Sequence, residues 1–169
     1  MAYERIEAAA TFNRPADTTT YASGDLVANS TTAGSVVPIL FSWTRNRARP
    51  IRIKRVRLSK TSNTIALSNF RIHFYSASPT ATNGDNGVFA AGTALGYLGY
   101  LDVVAGQGMA SGAGGWSVAA SDTLCPVATI AGGTPSIYGL IEARAAYVPT
   151  SGETFTTAIE VEDAELIGR

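Results

Sequence analysis

Acid–base or nucleophilic chemistry in this chain would have to draw on one histidine and one cysteine, His73 and Cys125. A Ser–His–Asp or Cys–His arrangement needs an imidazole as its base. His73 lies between Ile72 and Phe74, in a run whose alternation predicts a strand, and no Gly-x-Ser-x-Gly nucleophile elbow occurs. Zinc takes several His or Cys ligands, more than this inventory supplies. Asn83, Asp85 and Asn86 resemble part of a calcium loop but lack its spacing and bidentate glutamate, so turn chemistry explains them. Gly106–Gly115 is glycine-rich without the Gly-Lys-Ser/Thr ending of a phosphate loop. Two convergent carboxylates, as in a glycosidase, are the one catalytic option that sequence alone leaves open. The inventory predicts a protein that is not an enzyme and holds no metal, cofactor or small-molecule substrate.

The elements that would position any site read as all-β. Short β-rich runs alternate with clusters of Gly, Pro, Ser, Thr and Asn, the pattern of an antiparallel β-sandwich or a barrel. Candidate strands are Asp25–Ala28, Val36–Thr44, Ile51–Ser59, Phe70–Tyr75, Ala94–Val104, Ser136–Ala146 and Thr154–Val161. Phe70, Ile72 and Phe74 share one face at period two, opposite Arg71, His73 and Tyr75. Together with Phe41 and Ile53 they form the predicted core. Pro79 ends this strand region, and Asn83-Gly84 and Asn86-Gly87 mark turns. In Ile51–Leu58 the apolar phase changes between Ile53 and Val56, which predicts a β-bulge near Lys54-Arg55. Gly96 and Gly99 predict a bend or close backbone approach inside their strand. Ala105–Trp116, with five glycines in twelve residues, reads as a surface loop. The domain division is an extended or short-helical N-terminal arm (1–11), a β-sandwich (12–161) and a C-terminal tail (162–169).

Thirteen basic and thirteen acidic residues cancel in the 169-residue chain, giving no bulk charge to attract nucleic acid. Charged residues make up only 15%, against about 25% in ordinary soluble domains. Such a charge-poor surface predicts a permanent partner. No apolar run is long enough to span a bilayer as a helix, and the N-terminus lacks a basic region followed by an apolar one, which argues against secretion. Charge is nonetheless segregated. Arg45, Arg47, Arg49, Arg52, Lys54, Arg55, Arg57 and Lys60 lie within sixteen positions, while Glu160, Glu162, Asp163 and Glu165 crowd the C-terminus. Two readings follow: cross-strand Arg–Glu pairing, or docking of the arginines onto an acidic surface.

Three segments carry a resemblance to a known family: Thr11–Gly34 (TFNRPADTTTYASGDLVANSTTAG), the basic strand IRIKRVRLSK, and Phe70–Phe89 (FRIHFYSASPTATNGDNGVF). Together they resemble the head decoration, or capsid cement, proteins of tailed bacteriophages. The resemblance implies a β-sandwich, often jelly-roll-like, that assembles as a homotrimer or homodimer on the outer surface of the virion's capsid. Its partner would be the major capsid protein. The residues then expected to make capsid or subunit contacts are Tyr3, Arg5, Arg14, Arg45, Arg47, Arg49, Arg52, Arg55 and Trp116. Two alternatives stand beside this. One is another virion structural subunit, of the tail or the head–tail joint. The other is a carbohydrate-binding β-sandwich of a receptor-binding fibre, with Trp43, Trp116 and tyrosines as stacking platforms.

Overall fold

Alternation at Phe70–Tyr75 is realised in full: Phe70, Ile72 and Phe74 have no exposed surface, and they face a core fed from two sheets. The computed structural model describes residues 6–43, 50–92, 96–119, 127–129 and 136–163. These form β1 (Ile6–Asn13), β2 (Leu26–Val27), β3 (Ile39–Ser42), β4 (Pro50–Lys60), β5 (Asn69–Tyr75) and β6 (Tyr97–Val104). After them come β7 (Gln107–Met109), β8 (Gly112–Val118), β9 (Val127–Thr129), β10 (Ser136–Ala143) and β11 (Thr154–Asp163). There is no α-helix among the described residues.

One sheet runs β1-β11-β4-β8-β7, with β9 also on β4; the other runs β2-β10-β5-β6, with β3 also on β10. Every pairing is antiparallel. The ladders are nested: β1 with β11, β2 and β3 with β10, β4 with β8, β5 with β6. One long hairpin folded over on itself gives this order, which is the jelly-roll arrangement of two packed sheets. Between the sheets lie Phe41, Ile51, Ile53, Val56, Leu58, Phe70, Ile72, Phe74, Phe155 and Ile159, each at most 1% exposed. The predicted core residues are all among them.

The phase change in β4 is resolved by the expected bulge. Arg55 pairs with Glu160 and Ile53 with Val161, so Lys54 has no opposite number. That single skipped residue lets Ile51, Ile53, Val56 and Leu58 all point inward. A second register shift, where Phe74 faces Gly99 and Tyr75 faces Tyr97, skips Leu98 beside Gly99, one of the two glycines at which a bend was expected; Gly96 lies just before β6.

Three expectations are corrected. The stretch Ala105–Trp116 is no loose loop: β7 and most of β8 form a hairpin there, with Gln107 opposite Gly114 and Met109 opposite Gly112. Glycine is needed because the two sheets close on each other at this edge; a Cβ on Gly115 would stand 1.8 Å from the carbonyl oxygen of Val104. Residues 6–11, assigned to an arm, instead belong to β1, whose pairing with β11 runs from Ile6–Val161 to Asn13–Thr154. Alternate burial of Ala8 and the half-burial of Phe12 on the core explain why they join the sheet. Glu162 and Asp163, assigned to the tail 162–169, likewise belong to β11, paired with Arg52 and Ile51; Met1–Arg5 and the rest of the tail lie outside the described residues.

The Gly115 contact is testable. Gly115→Ala is expected to lower the free energy of unfolding by more than about 2 kcal/mol in urea denaturation. Gly92→Ala, whose nearest neighbouring atom would be 3.7 Å away, should stay within about 0.5 kcal/mol of the parent protein.

Candidate functional site

Two of the three segments that carry the family resemblance meet around one buried carboxylate. Asp85 lies in the turn after Asn83-Gly84, and backbone pairing zips this turn to the first segment. The Asp85 N–H donates to Ser30 O (2.7 Å), Leu26 N–H to Gly87 O (2.7 Å) and Phe89 N–H to Gly24 O (2.7 Å). Gly84 packs so tightly that a Cβ would fall 2.1 Å from the Thr31 carbonyl oxygen. Asp85 therefore points into the protein. Its carboxylate accepts from the Tyr21 hydroxyl (2.7 Å), the Ala28 N–H (2.7 Å) and Arg14 Nη2 (3.0 Å). Arg14 in turn donates from Nε to the Tyr21 oxygen (2.8 Å) and from Nη1 to the carbonyls of Asp17 (2.8 Å) and Thr150 (3.3 Å). Side chains of both ions are fully buried. Burial opposes the guanidinium's charge, but Tyr21 and Asp85 hold it more firmly protonated than an ordinary arginine. Burial also pushes the Asp85 carboxyl up, against the pull of Tyr21, Ala28 and Arg14.

Tyr21 continues this cluster into a second one. Its ring stacks on Tyr147 at 6.2 Å, and Tyr147 donates to both oxygens of Glu153 (2.7 and 2.5 Å). Lys60 Nζ, also fully buried, reaches Glu153 (3.3 Å), Tyr147 (3.1 Å) and the carbonyls of Ser62 (3.0 Å) and Thr64 (2.6 Å). Burial lowers the Lys60 pKa and Glu153 opposes that shift. Neither ion pair is placed for catalysis. Both are shut from solvent, and among the described residues no group of three or more His, Cys, Asp or Glu could hold a metal ion.

His73 lies on the outer face of the second sheet, beneath the segment that follows β5. There Leu26, Ala28, Tyr75, Ala81 and Leu140 form a smaller apolar cluster. Phe89 stacks on the imidazole at 4.2 Å. Nε2 donates to Glu142 (2.8 Å), which leaves Nδ1 to accept from the Tyr97 hydroxyl (3.1 Å). Burial depresses the His73 pKa below 6.5, against the Glu142 hydrogen bond. Burial pushes Glu142 up, but His73 and Arg144 outweigh it and hold this carboxyl below its ordinary 4.5. Beside them Arg71 makes a two-pronged pair with Asp102 (2.7 and 2.9 Å) and lies 3.7 Å over the Tyr100 ring.

The outer face of the first sheet is arranged in rows fixed by register. Glu7, Glu160, Arg55 and Val118 form one; Ala9, Ala158, Arg57 and Trp116 the next; Thr11, Thr156, Ser59, Gly114 and Gln107 the third. Small residues in these rows leave an open groove of about 580 Å³, lined by Trp116 and Met109 toward the β8–β7 edge and by Glu7 on β1, with Arg57, beside Trp116 in register, reaching across β11 to Glu7.

The expected contact residues are dispersed by this fold. Arg14 is corrected outright: it is an interior ion-pair residue with no side-chain surface to offer a partner. Arg55 pairs with Glu160, Lys54 with Glu162 (3.3 Å) and Arg57 with Glu7, so the basic strand is matched by cross-strand acids. Arg52 is half-buried opposite Glu162. Trp116 is 65% exposed, whereas Trp43 is buried and offers no stacking platform. Tyr3, Arg5, Arg45, Arg47 and Arg49 lie outside the described residues. Sequence reasoning missed Asp85 as an anchor, taking it for turn chemistry, and missed Glu142 and Glu153 entirely.

No protein-family model matches the chain, and no curated protein does. Among solved structures, the acidic stable capsid of Helicobacter pylori bacteriophage KHP30 aligns over 95% of this chain and 93% of its own, at 11% identity and a TM-score of 0.26. At that score the likeness says nothing of function.

Two measurements check the buried groups. Asp85→Ala strands the Arg14 charge and should cost about 3–5 kcal/mol in chemical denaturation. Replacing both ions, Arg14→Leu with Asp85→Leu, should recover part of that loss. The unfolded chain binds a proton at His73 more readily than the native state does, so stability is lost as pH falls from about 6.5 toward the lowered native value. His73→Gln should flatten the pH dependence of the unfolding midpoint in that window.

Proposed function

We propose that this protein is a non-enzymatic virion structural protein of a tailed bacteriophage, which binds the outer surface of the capsid and stabilises the shell. Its partners in this reading are the major capsid protein and further copies of itself, as a homotrimer or homodimer. The observation that carries the reading is a surface suited to protein contact. Twelve large apolar or aromatic side chains are exposed among the described residues. Four of them, Ile65, Leu67, Val104 and Met109, come from segments that meet at one edge, where the turn between β4 and β5 lies against the β7–β8 hairpin. Isolated apolar residues are ordinary on a surface; a group at a sheet edge marks a contact site.

A jelly roll held by buried ion pairs supports the same reading, since a cement protein must keep its shape while many modest contacts sum over a shell. The resemblance gains physical sense as well, because two of its segments form one locked unit around Asp85. Fold analogy alone would not reach this function.

Decoration-free capsids of the cognate phage provide the test. The parent protein should bind at saturable, high occupancy, and Ile65→Asp with Leu67→Asp should reduce occupancy at least tenfold. A triple variant, Arg45→Ala, Arg47→Ala and Arg49→Ala, should weaken attachment at low salt and lose less at raised salt, where the parent's charges are already screened. Deleting residues 2–5, which stops short of β1, asks the same of the N-terminal end. Absence of the protein from the heads of purified particles would overturn the proposal. Sedimentation equilibrium should show a dimer or trimer.

A further inference from the structure

We propose a second activity: the groove on the outer face of the β1-β11-β4-β8-β7 sheet binds a neutral oligosaccharide, with a sugar ring stacked on Trp116. The groove lies apart from the apolar edge of Ile65, Leu67 and Val104 invoked above and shares only Met109 with it; Trp116, expected from the sequence as a capsid or subunit contact, is assigned here to the ligand instead. At about 580 Å³ it lies within the size range of small-molecule sites. Its floor is a regular sheet surface of Ala9, Ala158, Ser59, Thr156 and Gly114, so its shape is set by strand register. Sites built on strands need little ordering when a ligand arrives.

Chemistry of the walls selects the ligand class. Trp116 presents an indole that is 65% exposed, and no ring or cation contact covers it among the described residues. An aromatic face carries partial negative charge and attracts the polarised C–H groups on the apolar side of a pyranose. Beside it in register, Arg57 reaches across β11 to form an ion pair with Glu7, the two side chains 44% and 49% exposed. The pair offers donors and acceptors in fixed positions but no net charge, whereas a site for an anionic ligand would leave its cation unmatched. Sugar hydroxyls can replace water on both ions. A protein surface pressed into the groove would have to desolvate the pair, which is expensive. Ser59 and Thr156 hydroxyls on the floor and the Gln107 amide at the rim extend the polar lining.

Isothermal titration calorimetry with cellohexaose, maltohexaose and chitohexaose tests this, with hexagalacturonate as the anionic control. Saturable binding of at least one neutral hexasaccharide is expected, weak (about 0.1–1 mM), with no binding of the acid. Tryptophan emission should shift with the same midpoint, and the shift reports Trp116 because Trp43 is only 7% exposed. Trp116→Ala should abolish the heat, and Trp116→Phe should weaken binding by about tenfold. An unchanged melting temperature would show that both variants fold. Failure of all three neutral probes at about 10 mM, or equal heats with Trp116→Ala, overturns the proposal. So does self-association of the free protein that Trp116→Ala removes, because the face would then belong to a second copy.

Discussion

The covering of the second sheet's outer face by the connection between β5 and β6 depends on the fully buried ion pair between Arg14 and Asp85. Burying two charges is unfavourable unless every hydrogen-bonding group is met, and here each guanidinium N–H has an acceptor. The pair thereby fixes where the long connection between β5 and β6 must lie. With Asp85 pinned, Phe89 is brought onto His73 and the small apolar cluster beneath the connection is closed. Tyr21, stacked on Tyr147, passes the same constraint to Lys60 and Glu153. The interior thus contains a polar seam beside the apolar core, and its members come from segments far apart in the chain.

Strand patterning was open to reading because burial in a sandwich imposes a period of two, and that period is visible in β5, β3 and β11. The bulge at Lys54 was legible for the same reason: a slip of phase in an apolar strand has few physical remedies. The edge hairpin was not legible. Glycine signals flexibility in an isolated segment, whereas in β8 it answers a steric demand from Val104, a residue on the opposite sheet. Likewise β1, with its three successive alanines, carries too weak an alternation to betray a strand before its partner β11 is known.

Buried charge was hidden for a further reason. An aspartate between Gly84 and Asn86 has the local chemistry of an exposed turn, and only a distant arginine and tyrosine make it an interior residue. Composition pointed to a charge-poor surface but could not say how its charges were matched. Cross-strand register answers this, setting Arg55 against Glu160 and placing the Arg57–Glu7 pair across the intervening β11. Of the two readings of the basic segment, cross-strand pairing holds for Lys54, Arg55 and Arg57.

Nested pairing also dictates an order of events during synthesis. In the first sheet β11 lies between β1 and β4, so β1 has no neighbour in that sheet until the last strand has been made. The ladder joining Ile6 to Val161 brings together segments far apart in sequence, and such distant pairings are slow to nucleate. The inner hairpins, β5 with β6 and β7 with β8, are free to form early. A ribosome-bound chain therefore holds β4 with one exposed edge for much of its translation. The final residues of β11 act as the key strand that completes the sheet.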